Sequence, residues 1–293
     1  MTQTRRAGPV AITLVALATL LSACSSGAVV SGRPSAATGH PAPTTNPTAT
    51  SPTASPPTST PSITISPLQQ AFTFAPPPAS VLDTVGAGSA ARVTKRVTGP
   101  ALTTSAGRPR VLFVGAEYCP YCAAQRWALA TALSRFGTLH SLTAIRSSPS
   151  DVDPNTATFS FHGASFTGSA VGFTGVELYG TRHSSSGYAP LDHLDAADGK
   201  VFRRLDRESA LPFVDIGGRW AVNGSPFDPQ VLQGATQAQI DAALAKASSP
   251  IARAVDGAAN VMTAAICTTT SESPAAVCRS RGVRRAAAVL PAH

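Results

Sequence analysis

The sequence predicts one α/β domain near the centre of a 293-residue chain. The apolar run at 111–114 is typical of a strand buried on both faces, and a segment rich in helix formers follows at 123–136. Two further apolar runs, at 213–216 and 219–222, are joined by Gly217-Gly218, a sequence that favours a hairpin. Strand, helix and hairpin in one segment predict the α/β class.

Other elements follow from local patterns. A short packed turn is expected at 81–85, shortly after the domain begins near Pro78, and a second strand is expected at 142–145. Gly137 is suited to cap the first helix at its carboxyl end. The apolar spacing predicts further helices at 236–247 and 251–267. Stretches at 159–161 and 171–179 resemble extra strands that either shape a groove or extend the core.

The charge distribution excludes an ordinary folded surface at the amino terminus and argues against a nucleic-acid-binding protein. Charged residues make up 13% of the chain, and the first carboxylate is Asp83. The net charge of +8 comes from thinly spread arginines that are not interleaved with aromatic residues on one element. We therefore interpret residues 279–293 as a basic, disordered tail, with attraction to anionic envelope polymers as the alternative; its arginines are Arg279, Arg281, Arg284 and Arg285.

Residues 1–23 form an export signal pattern. Arg5 and Arg6 precede an apolar run at 8–21, which is shorter than the ~20 residues of a spanning helix. The run ends in Leu21-Ser22-Ala23-Cys24, which resembles a bacterial lipobox, and this implies cleavage before Cys24 and lipidation of its sulfur. We expect a lipid anchor on the extracytoplasmic face of the cell membrane. The alternative is a plain secretory peptide with a cysteine at its cleavage site.

Residues 24–77 are expected to form a disordered tether. Of the 42 residues from 25 to 66, 26 are Ser, Thr or Pro, and Arg33 carries the single fixed charge. Such a composition cannot bury enough apolar surface to offset the entropy of ordering the chain. Stalks of this kind are frequently glycosylated, which the sequence permits.

The motif Cys119-Pro120-Tyr121-Cys122 lies where the first strand turns into the first helix. Free backbone N–H groups and the helix dipole at that position favour a thiolate on Cys119. Pro120 fits the first helical turn, and the two-residue spacing allows a reversible disulfide with Cys122. Arg126 adds positive potential and Glu117 opposes it, and the sequence leaves the net sign open.

Five stretches around this motif carry a resemblance. The chain resembles the thioredoxin-like superfamily, and more closely an exported family numbered 929 among the domains of unknown function, over roughly 78–278. The resemblance implies a thioredoxin-like fold. This chain departs from it by a long insertion at about 148–211, between the second strand and Pro212, and we also expect a C-terminal helix that is pinned by a disulfide. The stretches that carry it lie at 115–128, 133–137, 158–161, 211–215 and 264–267.

The resemblance also implies roles for individual residues. Cys119 is similar to the nucleophilic cysteine of the superfamily, Cys122 to the resolving cysteine, and Pro212 to the cis-proline that faces the disulfide. Substrate contacts are expected from the residues that flank these three, namely Tyr118, Pro120, Tyr121 and Leu211.

Two functions are compatible with these residues. The first is a thiol-disulfide oxidoreductase without a cofactor, which exchanges disulfides with exported protein thiols and with an unidentified redox partner. The second is a redox-inert binding module of the cell envelope that holds its partner at Pro212. An intact Cys-X-X-Cys favours the first, because an inert module needs neither thiol.

Two other groups of residues have competing interpretations. Cys267 and Cys278 are expected to form a structural disulfide in an oxidising compartment, with a second redox pair or a zinc site shared with Cys119 and Cys122 as alternatives. Several histidines and aspartates are interpreted as surface polar residues and not as metal ligands, because their spacing fits no common zinc site. They are His162, His183, His193, Asp192 and Asp195.

Overall fold

The computed structural model describes residues 70–291, which form a mixed α/β fold around a five-stranded sheet. The predicted α/β class is confirmed. The strands are β1 (Ala71–Phe72), β2 (Thr94–Arg96), β3 (Arg110–Gly115), β4 (Gly137–His140), β5 (Leu142–Arg146), β6 (Ala157–Ser160), β7 (Ser165–Gly168), β8 (Gly172–Glu177), β9 (Tyr179–Ser184), β10 (Gly187–Pro190), β11 (Phe213–Ile216) and β12 (Trp220–Asn223). The helices are α1 (Ala79–Val85), α2 (Pro120–Leu133), α3 (Ala196–Leu205), α4 (Gln237–Leu244), α5 (Pro250–Thr269), α6 (Ala275–Cys278) and α7 (Arg281–Ala287), with a 3-10 turn at Pro229–Leu232.

The central sheet has the strand order β2-β12-β11-β3-β8. β3 pairs in parallel with β8 and antiparallel with β11, and its apolar residues are buried on both faces, as the sequence predicts. β11 and β12 form the predicted hairpin. Its turn residues Gly217 and Gly218 have φ of +63° and +67°, a conformation that glycine adopts without steric cost.

The strand expected at 142–145 is not part of the central sheet. The predicted strand at 142–145 exists as β5, but it pairs with β1 and β6 in a separate three-stranded sheet. The place beside β3 is taken by β8, where Gly175 allows close packing, since a Cβ there would lie 2.6 Å from the Cβ of Phe161. Residues 137–171, which include β5, therefore lie between α2 and the strand that pairs in parallel with β3.

The boundaries of the folded region are wider than the sequence suggests. Phe72 and Phe74 lie before Pro78, yet both pack against Trp127 and Phe159, and the rings of Phe72 and Phe159 stack at 5.0 Å. Four aromatic rings that pack together anchor the start of the described chain to the core.

Two further expectations, the disordered tail and the cap of α2, are wrong. Residues 281–287 of the expected disordered tail form α7, because Val283 and Ala286 are buried and Asp83 accepts a hydrogen bond from the Gly282 N–H at 2.7 Å. Gly137 does not cap α2, which ends at Leu133. It opens β4 instead, where a Cβ would lie 2.2 Å from the carbonyl oxygen of Thr167.

A disulfide joins Cys267, near the end of α5, to Cys278 in α6, with their Cα atoms 5.6 Å apart. Both residues are buried, and the bond holds the C-terminal helices against α5. Among residues 70–291, no helix is both long and apolar enough to cross a membrane.

Asp256 is a buried carboxylate in the middle of α5. Its side chain is fully buried, and neither of its oxygens has a hydrogen-bond partner among the described residues. Desolvation raises the pKa of Asp256 to about 8. An aspartate in an unfolded chain has a pKa of about 3.9. Between the two pKa values, the folded protein therefore retains a proton that the unfolded chain releases. This residue therefore lowers the stability of the fold progressively as the pH rises from about 4 to 8.

We predict that Asp256→Asn stabilises the protein more at pH 8 than at pH 5, because the neutral amide has no charge to desolvate. The difference in melting temperature between variant and wild type should grow by on the order of 5–10 °C across this range. Thermal unfolding at several pH values measures it, with the exposed Glu272→Gln as a matched control. A constant difference at all pH values would contradict the assignment of Asp256.

Candidate active site

The Cys-X-X-Cys motif connects β3 to α2, with Cys119 at the N-cap and Pro120 as the first helical residue. The Sγ of Cys119 accepts a hydrogen bond from the Cys122 N–H at 3.3 Å, so this sulfur caps the helix. Both thiols are free. Cys119 is 7% exposed, whereas Cys122 is completely buried. The first cysteine is therefore the more accessible of the two.

The two thiols differ in acidity. A hydrogen bond from the Cys122 thiol lowers the pKa of Cys119, and the Cys122 and Tyr121 N–H groups and the Arg126 charge add to this effect against the opposing burial. Burial raises the pKa of Cys122 well above its ordinary value, and the negative charge on Cys119 raises it further. The pair thus consists of a stabilised thiolate and a protonated donor, which is the charge distribution that a nucleophile and a resolving cysteine require.

A buried ion pair lies beneath the motif. Arg126 donates from Nε and Nη2 to the two carboxylate oxygens of Glu177, each at 2.7 Å, and both side chains are completely buried. Nη2 also donates to the carbonyl oxygen of Ala116 at 2.7 Å, which ties the motif loop to α2. Glu177 was not identified from the sequence, because it lies 51 residues from Arg126, on a strand whose pairing with β3 the local pattern does not indicate.

Glu117 is the third charged residue in this region. It is 4% exposed, its Oε1 has no hydrogen-bond partner among residues 70–291, and its N–H donates to the Tyr179 carbonyl at 2.8 Å. Arg126 lowers the pKa of the Cys119 thiol, as one of several contributions that are led by the hydrogen bond from the Cys122 thiol. Burial raises the pKa of Glu177, and Arg126 opposes that effect.

The chain has four tyrosines. One directly precedes the motif, one lies in it, and two lie in the β9–β10 hairpin beside it. The Tyr118 ring stacks on Tyr188 at 3.8 Å with an interplanar angle of 4°, and its centroid is 6.4 Å from that of Tyr179. Tyr121 and Tyr179 are 42% and 40% exposed. Burial raises the pKa of Tyr118 to about 12, so its hydroxyl remains a neutral hydrogen-bond donor. These rings form an aromatic surface around Cys119.

Pro212 comes to the same edge of the sheet. The Leu211–Pro212 peptide bond is cis, and Phe213, the residue that follows, pairs with Val114 near the end of β3 that leads into the motif. A Cβ on Gly115 would lie 3.4 Å from the Sγ of Cys122, so the end of β3 lies directly against the cysteine pair. Leu211 is partly buried and packs against the core, whereas Pro120 is buried within α2.

Other predicted residues lie elsewhere or have structural partners. Cys267 and Cys278 bond to each other, so they do not contribute thiolates to a site with Cys119 and Cys122. His162 Nδ1 lies 2.6 Å from Asp192 Oδ1, His183 packs edge-on against Tyr188, and Asp195 caps α3. His193 is exposed. Cys24 lies outside the described residues, so its lipidation stays a prediction.

Comparison with known families adds one finding. Residues 97–192 match a family described as a domain of unknown function, DUF929. This match supports the resemblance to DUF929. It includes both motif cysteines, Arg126 and Glu177, whereas Pro212 and the Cys267–Cys278 disulfide lie beyond it. No curated protein and no solved structure matches the chain.

We predict that Cys122→Ala raises the pKa of Cys119, because the alanine cannot donate to the thiolate as the Cys122 thiol does. The pH dependence of thiolate absorbance, together with the rate of iodoacetamide alkylation, measures this pKa in the variant and the wild type. Cys119→Ala is the control that identifies the transition. An unchanged transition in Cys122→Ala would show that the thiol of Cys122 does not stabilise the Cys119 thiolate.

Proposed function

We propose that the protein is a thiol-disulfide oxidoreductase that exchanges disulfides with exported proteins through Cys119 and Cys122. The observation that carries this proposal is the opposite perturbation of two adjacent free thiols: Cys119 caps a helix and has a lowered pKa, while Cys122 is buried and has a raised one. Two cysteines with a purely structural role do not require such a difference in pKa.

The chain order of the elements supports a thioredoxin-like fold. β3, the motif helix α2, the parallel strand β8, α3, the X-Pro segment, the β11–β12 hairpin and a following helix occur in the order expected for that fold. In this interpretation β8 is the second strand of the fold. Residues 137–171 are then an addition between α2 and that strand, and the β9–β10 hairpin is a second addition beside the motif.

The proposed reaction has two exchange steps. The Cys119 thiolate attacks one sulfur of a client disulfide, which forms a mixed disulfide and releases the other client sulfur as a thiolate. Cys122 then loses its proton and attacks the Cys119 sulfur, which releases the second client thiolate. The client gains two electrons, and its two thiolates take up the proton released by Cys122 and one proton from solvent. The Cys119–Cys122 pair is oxidised to a disulfide. The reverse sequence oxidises a client dithiol.

Arg126 acts as a positioning residue in this reaction. Its positive charge favours the thiolate on both Cys119 and Cys122, so it assists the nucleophile in the first step and the resolving cysteine in the second. Glu177 holds the guanidinium in place through two hydrogen bonds, and it also neutralises the buried charge.

The aromatic surface around Cys119 supports a polypeptide as the substrate. Tyr121 and Tyr179 expose large apolar rings beside a sulfur that is itself little exposed. Tyrosine provides broad contact area with little loss of side-chain entropy, which suits the binding of extended chains with varied sequences. The Cys267–Cys278 disulfide is consistent with an oxidising compartment outside the cytoplasm, and the tether and Cys24 would hold the domain at the membrane.

We predict that Cys122→Ser accumulates mixed disulfides between Cys119 and envelope proteins, since the resolving step is blocked after the first attack. Cys119→Ser should accumulate few or none, because the buried Cys122 does not reach a client. Non-reducing electrophoresis after acid trapping of free thiols shows such complexes as high-mass bands that disappear with reductant. The control is the double variant that carries both Cys119→Ser and Cys122→Ser, because any complexes that it forms are bonded through other cysteines.

The redox-inert binding module predicts a different result. A module of that kind binds its partner without covalent exchange, so neither single variant would form reductant-sensitive complexes, while the partner would still co-purify with the wild type. Equal trapping by both variants would also contradict the assigned roles of Cys119 and Cys122.

A further inference from the structure

The C-terminal helices carry positive charge that no nearby acid in the sequence balances. The last acidic residue of the chain is Glu272, and the residues after it include four arginines and neither Asp nor Glu. One of these arginines directly precedes α7 and three lie in it, and all four are exposed. We call this set the arginine face; it consists of Arg279, Arg281, Arg284 and Arg285.

Packing against α1 fixes the direction of this face. Val283 and Ala286 of α7 are buried, and Gly282 lies so close to α1 that a Cβ there would be 2.4 Å from the Leu82 carbonyl oxygen. The Gly282 N–H also donates to Asp83 Oδ1 at 2.7 Å. Residues three and four apart share one side of a helix, so the three arginines of α7 project together, on the side away from these contacts.

The arginine face has no anionic partner within the protein. The three ion pairs of residues 70–291 involve other side chains, and none of the four guanidiniums donates a hydrogen bond to a group in that range. The carboxylate that α1 brings to α7, Asp83, accepts from the backbone of Gly282. Like charges three and four residues apart repel one another on a helix. An anion from outside removes this repulsion, and it reaches the guanidiniums directly because they are exposed.

An extended layer of phosphate groups fits the arginine face. A guanidinium binds phosphate through paired, charge-assisted hydrogen bonds. The four arginines are distributed over seven residues, a length of about 10 Å along a helix, so one small anion does not contact all of them. The exposed side of a helix is convex, and it meets a layer of headgroups without a cleft.

The connection of the domain to its predicted anchor favours a membrane as the source of these phosphates. α1, which packs against α7, is the first helix of the described chain, and the predicted lipidation site Cys24 lies on the segment that precedes it. A tethered domain stays at a high effective concentration near the bilayer, so a few arginines suffice to hold it there. A membrane is therefore favoured over a soluble polyanion, provided that Cys24 carries the predicted lipid.

We propose that the arginine face binds the headgroups of anionic phospholipids and holds the domain against the membrane through α7. No residue of the candidate active site lies in α6 or α7, so this contact does not use the cysteine pair or the tyrosines beside it. The inference goes beyond disulfide exchange and does not depend on it.

The test measures the binding of the full chain with Cys24→Ser, the parent chain, to vesicles by sedimentation over a range of lipid concentrations. The vesicles contain phosphatidylcholine alone or an equimolar mixture with phosphatidylglycerol. We expect the parent chain to bind the mixed vesicles more tightly. Glutamine at the three arginines of α7 should lower that affinity by on the order of a hundredfold. The amino-terminal segment is common to all variants, so the ratio of their affinities isolates the effect of α7.

Two matched variants serve as controls. Glutamine at three exposed arginines of other elements changes the net charge equally and should leave the affinity for mixed vesicles within a few-fold of the parent. Lysine at the three α7 positions should retain most of that affinity, which separates loss of charge from loss of structure. All variants should react with Ellman's reagent at the parent rate. The three arginines of the first control are Arg182, Arg203 and Arg207.

Three results would overturn the proposal. They are a parent chain without preference for the mixed vesicles, equal losses of affinity in the two glutamine variants, and binding of soluble polyphosphate through the α7 arginines without binding of mixed vesicles. The third result would assign the arginine face to an anionic polymer of the envelope. None of them would affect the exchange function, which the reaction with Ellman's reagent monitors separately.

Discussion

The buried ion pair between Arg126 and Glu177 is the interaction on which the candidate site depends. It joins α2 to β8, and through the Ala116 carbonyl it also holds the loop that precedes Cys119. Loss of one partner from such a buried pair leaves an uncompensated charge, at a typical cost of about 3–5 kcal/mol. The same guanidinium lowers the pKa of Cys119, so the constraint that fixes the geometry of the loop also adjusts the chemistry of its sulfur.

The local parts of this arrangement were predictable from the sequence, and the long-range parts were not. A continuous apolar run, a Cys-Pro pair before helix formers and a Gly-Gly turn are local signals, and they indicated β3, the start of α2 and the β11–β12 hairpin. β5 and β8 are both short strands, and their local sequence patterns do not show which of them pairs with β3. In the structure β8 lies beside β3, and its Gly175 packs closely against Phe161. Glu177 was missed for the same reason. The tail helix α7 was missed because the Asp83 contact that holds it lies 199 residues away in the chain.

The match to DUF929 covers the part of the fold that contains both free thiols. It extends from just after β2 to just after β10, and so includes the cysteine pair, its ion pair and the tyrosine surface. Pro212 comes from the segment that follows the match. The proposed reaction therefore combines a nucleophile from the matched segment with client contacts from both parts of the chain.

The central claim is that Cys119 and Cys122 form a reversible redox pair, and a titration in glutathione buffers tests it most directly. After equilibration, the free thiols are alkylated and each cysteine is assigned by mass spectrometry. The account predicts one two-electron transition in which Cys119 and Cys122 change together, while Cys267–Cys278 stays bonded across the range. A pair that remains reduced throughout, or a transition that exchanges Cys122 with Cys267, would contradict it.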